Sequence, residues 1–122
     1  MTRRPRIYVG HIDANGEHQC LVVPLDGGES YPLPPRNDLF NHSPDGFHWG
    51  YAGSGPAQLA LAILADHLGD DARAVDLHQS FKGTDIQNLD QDRGWVLSQS
   101  DIDEALGEIL EADRADKPQA AT

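Results

Sequence analysis

Short runs of strand-forming residues in the first third of the chain predict a small antiparallel sheet. Residues 7–9 and 20–23 are rich in β-branched and other apolar side chains, which fit a pleated, half-buried surface. Between them lies Asn15-Gly16, a pair that readily adopts the positive φ angles of a tight hairpin turn. A second turn at residues 26–28 leads to a third extended run at 29–33. The pattern therefore predicts two or three strands.

Apolar residues in the second half recur at helical spacing. Gly55-Pro56 opens a first helix over residues 57–68, and Gly69 ends it. Asp70 or Asp71 caps a second helix, which Gly83 ends or weakens. The third helix begins after a short strand or extended link at residues 95–97. Its opening is marked by a capping-box pattern, and its apolar stripe comprises Ile102, Ala105, Leu106, Ile109 and Leu110.

These elements predict an α+β fold, with a small N-terminal antiparallel sheet of two or three strands packed against about three helices. The length of 122 residues favours one domain over residues 1–122, with mobile ends at 1–5 and 115–122. The irregular connector between sheet and first helix alternates Phe47, Trp49 and Tyr51 with smaller or polar residues. In an extended segment these rings would share one face, and we expect at least two of them in the core.

The net charge restricts the possible classes of partner more than any sequence motif does. Twenty Asp and Glu oppose nine Lys and Arg, a formal net charge of −11. A field of this sign repels nucleic acids and anionic membranes and attracts basic proteins. No apolar run is long enough to span a bilayer, and no apolar stretch follows the basic first residues as in a secretory signal. Since one cysteine cannot form an internal disulfide, we expect a cytoplasmic protein.

The central segment carries a resemblance to a known family. Residues 47–56 read Phe-x-Trp-Gly-Tyr-x-Gly-Ser-Gly-Pro and lead into an Ala- and Leu-rich helix. Together with Tyr8-Val9-Gly10, Phe81-Lys82 and a later Trp-x-Leu, this resembles a family of small uncharacterised proteins of bacteria, archaea and their mobile elements. Residues 83–85 depart from it, since they interrupt what resembles a continuous helix in relatives. The resemblance implies a fold and transfers no catalytic residue.

The connector is the candidate ligand site. A helix N-terminus offers free amides to an anion, and histidine and aspartate at intervals of three can meet around a turn. The candidate residues are His42, Asp45, His48, Trp49, Gly53, Ser54 and Gly55. Their spacing fits neither a dinucleotide fingerprint nor a zinc motif, and Cys20 in its apolar run is typical of a buried, inert thiol. We therefore expect no metal, no cofactor and no catalytic residue.

The acidic second half supports a different hypothesis. Rows of carboxylates along helices can imitate nucleic-acid phosphates and dock into a basic cleft. The candidate partner-binding residues are Asp70, Asp71, Asp101, Asp103, Glu104 and Glu108. We expect a non-enzymatic acidic domain that binds a basic protein or nucleoprotein complex, as anti-CRISPR inhibitors from mobile elements do, and no nucleic acid directly. The alternatives are a solvated or salt-adapted surface, and a small-molecule or phosphate-binding protein or enzyme that uses residues 41–56.

Overall fold

The computed structural model describes residues 4–116 and confirms an α+β fold. The sheet has four strands rather than the expected two or three. The elements in chain order are β1 (Arg6–Ile12), β2 (His18–Pro24), β3 (Tyr31–Pro32), α1 (Ser54–Leu68), α2 (Asp71–Thr84), a 3-10 turn (Ile86–Asn88), β4 (Trp95–Ser98) and α3 (Gln99–Asp116). Of the termini expected to be mobile, residues 1–3 and 117–122 lie outside the described residues.

The strand order is β3-β2-β1-β4, with antiparallel neighbours throughout. The expected hairpin joins β1 to β2, and Gly16 has a φ of 80° in its turn. The additional strand is β4, which pairs with β1 and places Trp95 opposite Gly10. A Cβ atom at Gly10 would lie 2.2 Å from the Trp95 indole, so only glycine admits this ring. The absence of a side chain at Gly10 therefore makes room for the fourth strand.

Helix α1 lies at the centre of the molecule. Twelve of its fifteen residues are buried, so it is enclosed on nearly every side rather than along one stripe. Tyr8 and Val22 from the inner face of the sheet belong to the same buried core cluster, as do Phe81 from α2 and Ile102 from α3. This burial extends beyond one apolar face, because the connector also packs against the helix: His48 lies close to Gly55, and His42 contacts Gln58.

Three of the helix ends form as predicted, whereas α1 begins at Ser54, three residues before the expected start. Gly69, at φ 63°, ends α1 in the left-handed conformation, and the Asp70 carboxylate accepts from the Arg73 amide to cap α2. Before α3, Ser98 Oγ accepts from the Asp101 amide while Asp101 Oδ2 accepts from the Ser98 amide, at 3.0 and 2.9 Å. This reciprocal pair is the predicted capping box. Helix α2 continues through Gly83 and ends one residue later.

The connector contains no strand between β3 and α1. Trp49 is fully buried, and its indole N–H donates to the carbonyl oxygens of Asp90 and Arg93 at 3.1 and 2.9 Å. Gly50, at φ 88°, then turns the chain, which leaves Tyr51 40% exposed. Phe47 packs partly against the core. Two rings therefore join the core as expected, but the three do not share one face.

Candidate functional site

The candidate residues predicted from the sequence do not form one site in the structure. Three of the acidic residues meet at a groove beside α3, while the other three are engaged elsewhere. Of the seven connector residues, Asp45 lines a cavity next to β2 and His42 contacts a histidine on α2, while the other five belong to neither place.

The acidic groove has a volume of about 310 Å³ and lies between the end of α2, β4 and α3. It is lined by Asp85, Leu97, Asp101, Glu104, Ala105 and Glu108. The spacing of Asp101, Glu104 and Glu108 puts all three on one face of α3. Asp85 was missed because it follows a different helix. The lining residues include four carboxylates and neither lysine nor arginine, so the groove favours a positively charged group.

Asp103 lies on another side of α3 and contacts α1. Its Oδ1 is 2.7 Å from Nε2 of His67, which is fully buried. Asp103 therefore contributes to packing between α1 and α3 and does not belong to the groove. Asp103 is two positions after Asp101, and a step of two positions rotates the side chain by about 200° around the helix axis. The two carboxylates therefore lie on different sides of α3.

Asp70 and Asp71 lie at the start of α2, whereas Asp85 follows its end. A helix of 14 residues is about 21 Å long, so the two aspartates are remote from the groove. Asp71 pairs with Arg36 at 2.9 Å, and Asp70 caps the helix. The six acidic candidates thus do not form one surface.

A second cavity, of about 280 Å³, lies between β2 and the connector. Asp45 lines it, together with Phe47, His18 and Cys20. His48 is stacked on His18 with ring centroids 3.7 Å apart, and Nε2 of His18 lies 2.7 Å from the Gln91 carbonyl oxygen.

The beginning of α1 is partly covered by His48. A Cβ atom at Gly55 would lie 2.6 Å from Cβ of His48, so the glycine permits this close approach. Gly53 has extended backbone at φ −169° and precedes the exposed Ser54. Gly53, Ser54 and Trp49 do not line the cavity beside β2. The predicted ligand-binding set is therefore dispersed.

His42 meets a residue that sequence reasoning did not place in a site. Its Nε2 lies 2.9 Å from Nε2 of His78 on α2. Burial, followed by electrostatic interaction with His78 and Lys82, lowers the pKa of His42. The His78 side chain is buried. No local pattern could have indicated the pair, since 36 residues separate its members.

Cys20 is 4% exposed, and burial together with the negative charge of Asp66 raises the pKa of its thiol to about 12. The thiol is therefore neutral at physiological pH, consistent with the expected inert cysteine. Within residues 4–116 no cluster of three or more His, Cys, Asp and Glu side chains is suited to hold a metal ion. The described helices include none that is long and apolar enough to cross a membrane.

We expect the Asp103→Ala variant to lower the free energy of unfolding by about 1–3 kcal/mol, because it removes an acceptor from the buried His67 ring. The neighbouring Glu104→Ala variant is the matched control and should change stability by no more than about 0.5 kcal/mol. Urea denaturation of both variants measures the difference. Equal stability of the two would contradict the assignment of Asp103 to helix packing.

Cys20 also predicts an alkaline loss of stability. The thiol pKa is raised from 9.0 to about 12, so the unfolded chain releases its proton first as the pH rises. The stabilisation is complete below pH 9 and is lost between pH 9 and 12, at about 1.4 kcal/mol per pH unit. Denaturation of the wild type and of Cys20→Ala at pH 8, 9.5 and 10.5 should show a steeper loss of stability in the wild type, because the raised pKa values of Tyr8 and Tyr31 act equally in both proteins. Parallel pH profiles would refute it.

No curated protein and no solved structure gives a significant match to this chain. One family model matches residues 8–108, from β1 into α3. This match covers the sheet, the connector, α1, α2 and the part of α3 that lines the groove. The chain therefore belongs to the family of unknown function DUF6166.

Proposed function

We propose that this chain is a non-enzymatic domain that binds a basic protein through the acidic groove. The observation that carries the proposal is the convergence of Asp85, Asp101, Glu104 and Glu108 on one cavity. Successive turns of α3 place carboxylates about 5–6 Å apart, a spacing that suits a row of lysine or arginine side chains. The partner is a basic protein or nucleoprotein complex, and the net charge of −11 steers it toward the groove.

A carboxylate row of this kind competes with nucleic-acid phosphates for the same basic residues. The domain thus acts as an inhibitor or regulator of a host complex that binds nucleic acid, in the manner of anti-CRISPR proteins. The resemblance to proteins of mobile elements, carried by the motif at residues 47–56, is consistent with that role.

The groove carboxylates differ in how far the fold depends on them. Asp101 accepts from the Ser98 amide, and Asp85 accepts from the Thr84 hydroxyl. Their replacement would disturb local structure as well as charge. Glu104 and Glu108 are exposed on the helix surface, so they are the residues on which binding is best tested.

The cavity beside β2 favours a second candidate function, the binding of a small molecule. Asp45 and Glu17 supply negative charge, while Phe47 and Leu33 supply apolar wall. Such a lining suits a small cationic or neutral polar molecule better than the phosphate considered from the sequence, because two carboxylates repel an anion.

The double variant Glu104→Gln/Glu108→Gln should weaken partner binding roughly 3- to 30-fold, as expected for the loss of two surface ion pairs. The matched control is Glu111→Gln/Asp76→Asn, which changes net charge equally at exposed helix positions outside the groove. All three proteins serve as baits in parallel affinity capture with mass spectrometry. The partner that the wild type captures is then titrated with each bait at two salt concentrations.

Capture by the wild type and the control, with loss in the groove variant, is the expected result. Equal weakening in both double variants would show that bulk charge rather than the groove attracts the partner. Loss of the protein partner from a fourth bait, Asp45→Asn, with the groove variant unaffected, would indicate that the partner binds at the cavity beside β2 instead of the groove.

A further inference from the structure

Two histidines from distant parts of the chain present ring nitrogens to each other next to α2. We propose that His42 and His78 form a two-nitrogen binding site for a divalent transition-metal ion, with Cu²⁺ and Ni²⁺ as the favoured ions. The spacing of His42, Asp45 and His48 predicts no metal site. The site proposed here uses His42 with His78 instead, and it is independent of the acidic groove.

The spacing of the two Nε2 atoms suits one ion between the rings. They lie 2.9 Å apart. Imidazole nitrogens bind such metals at 2.0–2.1 Å, so two of them at an angle of 90–110° are separated by about 2.9–3.4 Å. The ion would lie to one side of the line that joins the two nitrogens, so its binding requires the His42 ring to turn until both lone pairs converge on it.

The ring of His78 is oriented by a backbone group rather than by His42. Its Nδ1 lies 2.6 Å from the Val75 carbonyl oxygen, which can only accept a hydrogen bond. The proton of neutral His78 is therefore on Nδ1, and the lone pair of Nε2 points toward His42. Metal-binding histidines are held by the same kind of outer hydrogen bond, which fixes the tautomer and makes the free nitrogen a better ligand.

His42 is held from its backbone by a buried glutamine. Gln58 on α1 is fully buried, and its Oε1 accepts from the amides of His42 and Ser43 at 2.8 and 3.1 Å. Its Nε2 donates to the Pro35 carbonyl oxygen at 2.6 Å. The His42 ring also stacks on Phe40, with centroids 4.2 Å apart. Both histidines are thus positioned without a metal, which lowers the entropy cost of binding.

In the metal-free protein Nε2–H of His42 donates to Nε2 of His78. Binding requires His42 to carry its proton on Nδ1, so that both Nε2 lone pairs face the ion. The ring stays neutral, and the shift is a tautomerisation. His42 is only partly buried, so water can occupy the remaining coordination positions.

The other histidine pair lacks this arrangement. His18 and His48 are stacked at 3.7 Å with an interplanar angle of 24°. Lone pairs in the planes of stacked rings do not converge on a single ion. Nε2 of His18 is also occupied by the Gln91 carbonyl oxygen. His18 therefore offers a matched control within the same chain.

The test is isothermal titration of the full chain, without an affinity tag, with Cu²⁺ and with Ni²⁺, followed in parallel by the visible absorption of the bound ion. We expect one ion per chain, with Cu²⁺ bound more tightly than Ni²⁺. His42→Gln and His78→Gln should each weaken binding at least about 10-fold. His18→Gln should leave it unchanged. Lys82→Gln should strengthen binding a few-fold, because the charge of Lys82 acts on His42 and opposes a cation.

His42→Gln decides the question if the buried His78 variant does not fold. Affinity of His42→Gln equal to that of the wild type would overturn the site. So would the absence of saturable one-to-one binding by the wild type, or an equal loss in the His18→Gln control.

Discussion

The Asp66 carboxylate joins the central helix to the sheet, and the rest of the molecule is arranged around that junction. Its Oδ1 accepts from Arg6 Nε and the Tyr8 hydroxyl at 2.8 and 2.5 Å, and its Oδ2 accepts from the Tyr31 hydroxyl at 2.9 Å. Arg6 Nη2 also donates to the Asp66 carbonyl oxygen at 2.6 Å. Burial, together with the Asp66 carboxylate, raises the pKa of Tyr8, so its hydroxyl remains a donor. A charge pair this shielded from water is costly to break.

Helix α1, once fixed on the sheet, positions both candidate sites. Gln58, near its start, holds the connector segment that carries His42. His67, near its end, contacts Asp103 and so helps to set the rotation of α3. That rotation directs Glu104 and Glu108 toward the groove. The acidic groove and the histidine pair therefore lie on elements held by opposite ends of one buried helix.

Features governed by neighbouring residues could be predicted from the sequence, and those that depend on distant contacts could not. Asn15-Gly16, Gly69 and the Ser98–Asp101 pair act within a few residues, and each forms the turn or cap expected. The short strand or extended link expected at residues 95–97 is strand β4, but its pairing with β1, more than eighty positions away, could not be predicted from neighbouring residues. The concentration of carboxylates in the second half likewise indicated Asp101, Glu104 and Glu108, but it could not separate Asp103, whose partner is on another helix. The pairing of His42 with His78 required the fold itself.

The most direct test of the junction is the stability of Asp66→Asn, which keeps the size of the side chain and removes its charge. Arg6, only 12% exposed, would then lack its counter-charge. We expect the free energy of unfolding in urea to fall by about 2–4 kcal/mol, while Tyr31→Phe, at the exposed edge of the network, costs about 1 kcal/mol or less. A loss below about 1 kcal/mol for Asp66→Asn would contradict the central role of this carboxylate.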